Sequence, residues 1–420
     1  MLLILRILIV GFTLAISSCG SDSLPEKVSL AEFIESNQSL SLKADDKSLD
    51  KQKCWCISGM RQILLLKVAG IKKQGVDAII HGLNWLAKNQ DEDGGWGKRD
   101  LDGSGKSFVC NEQHLDAMTS LALLNFLQFC PHRFCTAYPK TIQRAIEYLT
   151  KPKAEKYAKF NQEGRFTELT IQEGTEFMHA HCLRASALCF AYTVFKEKPL
   201  REYAVKATQV TLDGQHESGG WSTDFKKTKD AKVDLVVSTW ALQNLTYFAL
   251  SGINDPQIDD SFDDGVDYIK SLHTSDGSFK RFLSGNESQD NLTGAGIYFL
   301  QVWKNSKSSE SKSGLEKIAH ERLRLNLRNL HSFEMFFNTL SAYCSTNFTS
   351  KYWREWNEGY QFVLIDSQSN NGAWPLGSTH DHETQLYRTN LSLHSLIVPP
   401  LWLRLSPKGN SKESNSSVTP

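Results

Sequence analysis

An all-α toroid is the fold this sequence predicts: two concentric rings built from about six helical hairpins. Three observations lie behind that expectation, and a repeated pattern comes first. Q-x-x-x-G-x-W, with aromatic or His variants, occurs as Gln90–Gly94–Trp96, Gln215–Gly219–Trp221, His273–Gly277–Phe279 and Gln368–Gly372–Trp374. A weaker trace lies at Gly164–Phe166. A period in the range of roughly 50 to 95 residues describes stacked helix pairs. The second observation is an alternation of two helix types, one amphipathic and one apolar almost all round. Helices apolar on every side are enclosed by others, and one-faced helices lie outside them. The third is a scarcity of strand signals.

The amino end reads as a targeting segment. It carries one early charge, Arg6, then an apolar run from Ile7 to Ile16 and the small residues Ser17 and Ser18 before Cys19. That run is too short to span a bilayer comfortably, and small residues precede a cleavage site. Residues 1–18 are therefore expected to be a signal peptide. Ile16–Ser17–Ser18–Cys19 resembles the lipobox of bacterial lipoproteins, which implies a lipidated Cys19 and a chain exported and anchored to a bacterial membrane, on the periplasmic or outer-membrane side. Residues 19–51 form a polar tether, residues 52–405 the toroid, and residues 406–420 a Ser/Asn/Lys-rich disordered tail.

Within the toroid the outer candidates are the stretches 76–88, 140–149, 201–212, 262–272, 315–327 and 352–365. The inner candidates are 114–129, 177–194, 236–249, 292–302, 333–344 and 386–401. Each repeat sits where a helical stretch ends. Its Gly gives the backbone freedom that a helix exit needs, and its aromatic ring can plug the seam between neighbouring hairpins.

Composition narrows the partners. Lys plus Arg and Asp plus Glu number 47 each, so the formal net charge is zero. Nucleic-acid binding would need a basic stripe, and no long Lys/Arg run supplies one. In the oxidising compartment that export implies, Cys130 and Cys135 flank a turn of a length that a disulfide can close. Cys182 and Cys189, two helical turns apart, read as core. Cys54 and Cys56 with His132 lack a matched second half for zinc, so neither a metal nor a cofactor is expected.

The repeat resembles the hallmark of the squalene-cyclase, oxidosqualene-cyclase and protein-prenyltransferase β-subunit superfamily. The chain is similar, over roughly residues 75 to 405, to bacterial prenyltransferase/squalene oxidase repeat proteins. The matching stretches are 84–97, 116–127, 181–192, 233–245, 292–303, 353–357 and 387–396. The resemblance implies two kinds of chemistry, and the residues depart from both. Squalene-hopene cyclases protonate an alkene with the clustered acids of a D-x-D-D motif. Aligned on Ala241–Leu242, those acids become Ala231, Val233 and Asp234, so only Asp234 remains and the proton donor is replaced by Val233. Protein prenyltransferases hold zinc with Asp, Cys and a His in a Y-H-T sequence; here Tyr387–Arg388–Thr389 stands in its place, and Arg does not ligate zinc.

Three substitutes are weighed. Asp259–Asp260–Ser261–Phe262–Asp263 is a D-D-x-x-D sequence, but at the start of an outer helix acids answer the macrodipole. Cys110 and Gln113 resemble the C-G-E-Q thioester motif of α2-macroglobulin and complement domains, without its flanking Pro-Gly context. His380–Asp381–His382–Glu383 offers metal-binding side chains in a loop.

A ring of polar residues at the starts of the inner helices remains: His114, Asp116, His179, His181, Asp234, Asp290, His331 and Glu383. Each admits two readings, a helix cap or the rim of a central cavity. Asp234 and His181 are the candidates for a chemical role, and Trp240, Tyr298, Phe336 and Phe337 either line the cavity wall or belong to the core. The expectation is a lipid-anchored toroid that binds an apolar, isoprenoid-like ligand or a partner protein without superfamily catalysis. The alternatives are a terpenoid cyclase or prenyl-transfer enzyme using Asp234 as acid, a thioester-type domain, and polysaccharide processing with a carboxylate pair. Replacing Cys19 with Ala should move the protein from the membrane to the soluble fraction on cell fractionation; unchanged membrane association would refute the anchor.

Overall fold

The computed structural model describes residues 63, 66–67, 69–98, 112–129, 138–150, 158–160, 166–169, 177–284, 288–289, 292–303, 308–321, 331–345, 351–376 and 384–397. Residues 1–62, Cys110, Cys130, Cys135, Asp290, the 380–383 cluster and the 406–420 tail lie outside these, as does the side chain of Gln113.

Six helices form the inner ring: α2 (Glu112–Phe129), α4 (Phe177–Phe195), α6 (Leu235–Leu250), α8 (Thr293–Trp303), α10 (Ser332–Cys344) and α12 (Gln385–Ile397). Each packs on the next, and α12 packs on α2, so the ring closes. Six one-faced helices surround it: α1 (Lys73–Lys88), α3 (Pro139–Thr150), α5 (Lys198–Asp213), α7 (Gln257–Ser271), α9 (Ser309–Glu321) and α11 (Lys351–Ser367). The first five of these each lie against two consecutive inner helices; α11 lies on α10, α9 and α1. Hydrophobic burial explains the division. Leu235 to Leu250 is buried at nearly every position, whereas α7 buries Ile258, Phe262, Val266 and Ile269 and leaves its acids outward.

Two short antiparallel ribbons interrupt the helices. β1 (Ala158–Phe160) pairs with β2 (Phe166–Leu169), and β3 (Phe279–Lys280) with β4 (Ser288–Gln289). The first corrects the sequence reading of the weak repeat trace: Phe166 opposes Phe160 in a ribbon and marks no helix exit. Helix α9 starts six residues earlier than the outer stretch expected at 315–327, because Ser308 caps it through the Ser311 backbone N–H.

The four full repeats share one backbone turn. In each, the Gly N–H reaches back three residues and the first loop residue bonds across the turn, as in Gly219–His216 at 2.9 Å and His216–Gly220 at 2.9 Å. The Gly is left-handed every time, with φ from 85° to 97°. Gln90 Nε2 donates to Gly94 O within the turn and to Thr141 O of α3, both at 2.9 Å. Gln215 reaches Ser261 O of α7 in the same way, and Gln368 reaches Ala78 O of α1. His273 contacts Ser313 Oγ of α9 at 3.1 Å. So each copy ties one outer helix to the next, and the last copy ties the end of the chain to its beginning. Trp96, Trp221, Phe279 and Trp374 are wholly buried. Each indole N–H donates to the outer helix just ended, and each Trp backbone N–H donates to Thr119, Ser238 or Thr389 on the inner helix that follows.

Gly219→Ala tests this turn against Gly252→Ala. Both positions are left-handed, but a Cβ at 219 would meet the Asp264 carbonyl of α7, and at 252 it meets nothing. Left-handed strain alone costs Gly252→Ala about 1–2 kcal/mol, so the urea midpoint of Gly219→Ala should fall distinctly further.

Candidate functional site

Pairs of equal depth set the direction of the inner ring. His114 and His179, near the starts of α2 and α4, have ring centroids 6.0 Å apart. Gln128 and Tyr247, near the ends of α2 and α6, share a hydrogen bond of 2.5 Å. The starts of the inner helices therefore lie at one end. There His114, Asp116, His179, His331, Phe333, Glu334 and Tyr387 are all partly exposed.

Asp234 occupies the N-cap of α6, with extended backbone. Its Oδ1 accepts from Val236 N at 2.8 Å, and its Oδ2 accepts from Arg281 Nε at 2.8 Å and Arg281 Nη2 at 2.7 Å. The carboxyl is 1% exposed. Two bonds from the Arg281 guanidinium and one cap bond engage both of its oxygens. Its neighbour Val233 is buried, and Val233 O accepts from the Tyr268 hydroxyl. The geometry serves anchoring, since an acid that protonates an alkene must present its proton.

His181 corrects the cavity-rim expectation. It turns outward, its Nε2 lying 2.8 Å from Ala207 O on α5 and its ring edge-on to Phe225. Burial pushes its pKa down to about 4, the Ala207 carbonyl opposes that, and Arg184 adds to the lowering. It braces α4 against α5 because α4 is apolar on nearly every side, and its few polar groups take whichever neighbour offers a carbonyl. Arg184 does likewise, giving Nε to Leu149 O at 2.9 Å. Burial lowers the Arg184 pKa, while the charge of Asp116 works against that shift. His331 stands at the N-cap position of α10.

The aromatic candidates meet across the ring. Trp240 of α6 stacks on Phe336 of α10 with centroids 6.2 Å apart and meets Phe337 edge-on at 5.4 Å, although α8 separates the two helices in the ring. Tyr298 of α8 closes on Phe337 at 6.0 Å, and His394 of α12 sits edge-on to Phe336 at 5.4 Å. These side chains fill the axis below partly exposed Phe333, which itself touches Trp240 and Phe337.

Other candidates resolve individually. Asp259 and Asp260 lie in the first turn of α7, where the helix dipole favours acids. Arg388 is buried, and Thr389 receives the Trp374 N–H. Cys182 and Cys189 are free and buried, and burial pushes both thiols up to about 12. Among the described residues no group of His, Cys, Asp and Glu could hold a metal, and no helix is long and apolar enough to cross a membrane. Sequence reasoning missed Arg281, the counter-ion of Asp234. It also missed Gln128 and Tyr247, whose bond spans the ring.

No family model matches this sequence, and no curated protein matches it. Solved structures do resemble it. The GH76A alpha-1,6-mannanase of Salegentibacter sp. HEL1_6 superposes with a TM-score of 0.56 at 10% identity, covering 78% of this chain and 100% of that one. A GH76 alpha-mannanase of Bacteroides thetaiotaomicron gives 0.51 at 12% identity, covering 78% and 96%. A type II terpene cyclase of Scytonema, bound to geranylgeranyl dihydroxybenzoate, gives 0.46 at 13% identity, covering 78% and 97%. The mannanases establish the shared fold, an α/α toroid.

His181 and His394, both held near pKa 4 mainly by burial, give a pH prediction. A His whose folded pKa lies below its unfolded value contributes full stability above about pH 6.5. That contribution falls away as the pH drops towards about 4, by up to about 3 kcal/mol per buried group. The wild-type urea midpoint should therefore decline across this window, and His394→Leu should decline less.

Proposed function

We propose that this chain is a toroidal binding protein that receives an apolar ligand where its inner helices start, without the chemistry of squalene cyclases or protein prenyltransferases. The observation that carries this reading is the engagement of Asp234, the one acid left from the cyclase pattern, by a helix N-terminus and by the Nε and Nη2 edge of Arg281. Freeing its carboxyl for protonation would break an ion pair and a cap together. The aromatic group of Trp240, Phe333, Phe336 and Phe337 supplies contact surface for hydrocarbon. In this reading a lipidated Cys19 holds the toroid at an extracytoplasmic membrane face, next to apolar ligands.

A saccharide is the second reading, favoured by two partly exposed acidic residues, Asp116 and Glu334, near the starts of inner helices α2 and α10. One related structure is an inactive alpha-1,6-mannanase, with two adjacent aspartates replaced, in complex with alpha-1,6-mannotriose. Here the described adjacent aspartates, Asp259–Asp260 and Asp263–Asp264, sit on outer helix α7, away from the inner ring.

Purified protein incubated with squalene should bind it and form no cyclic triterpene. A triterpene made by the wild type and lost in Asp234→Asn would overturn the proposal. Trp240→Ala should weaken squalene binding roughly tenfold, the value of one buried aromatic contact. Mannotriose bound more tightly than squalene would favour the saccharide instead.

A further inference from the structure

Below the aromatic group the axis changes character. Trp240, Gln243 and Tyr247 form one stripe of α6, spaced three and four residues apart. Trp240 contacts α10 across the ring and Tyr247 bonds Gln128 of α2 across the ring, so the stripe between them, Gln243 included, faces the axis. On α8, Gln301 follows Tyr298 on the same face, and Tyr298 lies near enough to Tyr247 for ionising one hydroxyl to be opposed by the other. Gln128, Gln243 and Gln301 are 3%, 6% and 5% exposed, yet Gln128 Oε1, Gln243 Oε1 and both amide atoms of Gln301 have no hydrogen-bond partner. Leaving a buried amide unpaired costs about 1–3 kcal/mol. A helix as apolar as α8 would be served better there by Leu.

We propose that this glutamine belt is the subsite for the polar end of the ligand, and that the ligand is an elongated hydrocarbon ended by an uncharged group that both donates and accepts hydrogen bonds, such as a hydroxyl. The inference rests on the apolar-ligand reading and narrows it. The belt has amide donors and acceptors to offer, and burial keeps the Tyr247 and Tyr298 hydroxyls beside it protonated, as it keeps the His394 ring at Phe336 uncharged. A carboxylate or phosphate would lose its hydration there and meet no counter-ion among these residues. Among the described residues, the side chains of Trp240, Phe336 and Phe337 lie between the belt and Phe333 near the helix starts, so in this proposal their rotation admits the polar end first while the hydrocarbon stays against the rings.

Equilibrium dialysis of the purified protein against farnesol, farnesene and farnesyl phosphate tests this, because the three share one skeleton. Farnesol should bind on the order of tenfold more tightly than farnesene, the worth of one or two net hydrogen bonds, and farnesyl phosphate more weakly than farnesol. Gln301→Leu, and independently Gln243→Leu, should erase the preference for the alcohol and leave farnesene binding intact. Gln301→Leu should melt no lower than wild type, since it removes a buried amide with neither atom paired, whereas Gln243→Leu also gives up a hydrogen bond to the Tyr247 hydroxyl. Equal binding of alcohol and hydrocarbon, or a preference that survives in both variants, would mean that water alone occupies the belt and would overturn the inference while the apolar-ligand reading stands. Failure of both farnesol and farnesene to bind would overturn that reading as well.

Discussion

Three outer helices of this toroid end in a glutamine whose amide donates to two carbonyls at once, one inside its own turn and one on the next outer helix. The bond within the turn requires the left-handed glycine four residues on, and the bond outward requires that turn to lie flush against the neighbouring helix. A side chain at that glycine would strike the neighbour's backbone, Arg144 O, Asp264 O or His81 O. Close approach and hydrogen bond are therefore one constraint. Gln368 applies it between the last outer helix and the first, and Trp353 Nε1, Asn357 Nδ2 and Gln361 Nε2 add bonds to the Ala69 and Gly70 carbonyls at the same seam. These seam bonds offset the entropy of bringing residues nearly 300 apart together.

The same turn sets up the site. Because the Trp backbone N–H after each turn is held by a hydroxyl on the next inner helix, that helix starts at a fixed height relative to its predecessor. Inner-helix starts then gather at one end, and polar residues that would be scattered caps in a bundle become a collar. Asp234 shows what the collar is for in at least one place. The Trp221 carbonyl receives the Asp234 N–H, so the repeat turn runs directly into the cap, and Arg281, two residues past Phe279 of the next repeat, reaches back to the carboxylate. Two successive repeats are joined through that ion pair.

Much of this was legible in the sequence, and what was not has physical reasons. The turn glycines and buried aromatics could be read because their roles are local and recur. The inner ring could be read because helices apolar all round, alternating with one-faced helices, are enclosed by them. That same property hid the direction of individual side chains: an evenly apolar helix carries no phase, so nothing in α4 distinguishes a His181 aimed at the axis from one aimed at α5. The outward partner of each repeat Gln, and Arg281 for Asp234, lie some 40 to 290 residues away, beyond any local pattern. Val233, where the cyclase resemblance expects an acid, was visible in the sequence; the guanidinium that holds Asp234 was not.

Under the proposed apolar-ligand reading, the axis suits a ligand of one kind. A ring of six parallel helices meets at its centre in side chains alone, and this chain fills the upper part with aromatic carbon and the lower part with amides and hydroxyls. Had the centre been only structural, apolar packing throughout would satisfy it, as the seams are satisfied by Trp96, Trp221 and Trp374. Buried amides are tolerated where something completes their hydrogen bonds, whether water or a ligand atom. Charge is absent from the polar stripe of α6 and from the glutamines that face it, so whatever completes them has to be neutral too. A molecule with a hydrocarbon body and an uncharged polar end matches both halves of the axis in the order in which they occur.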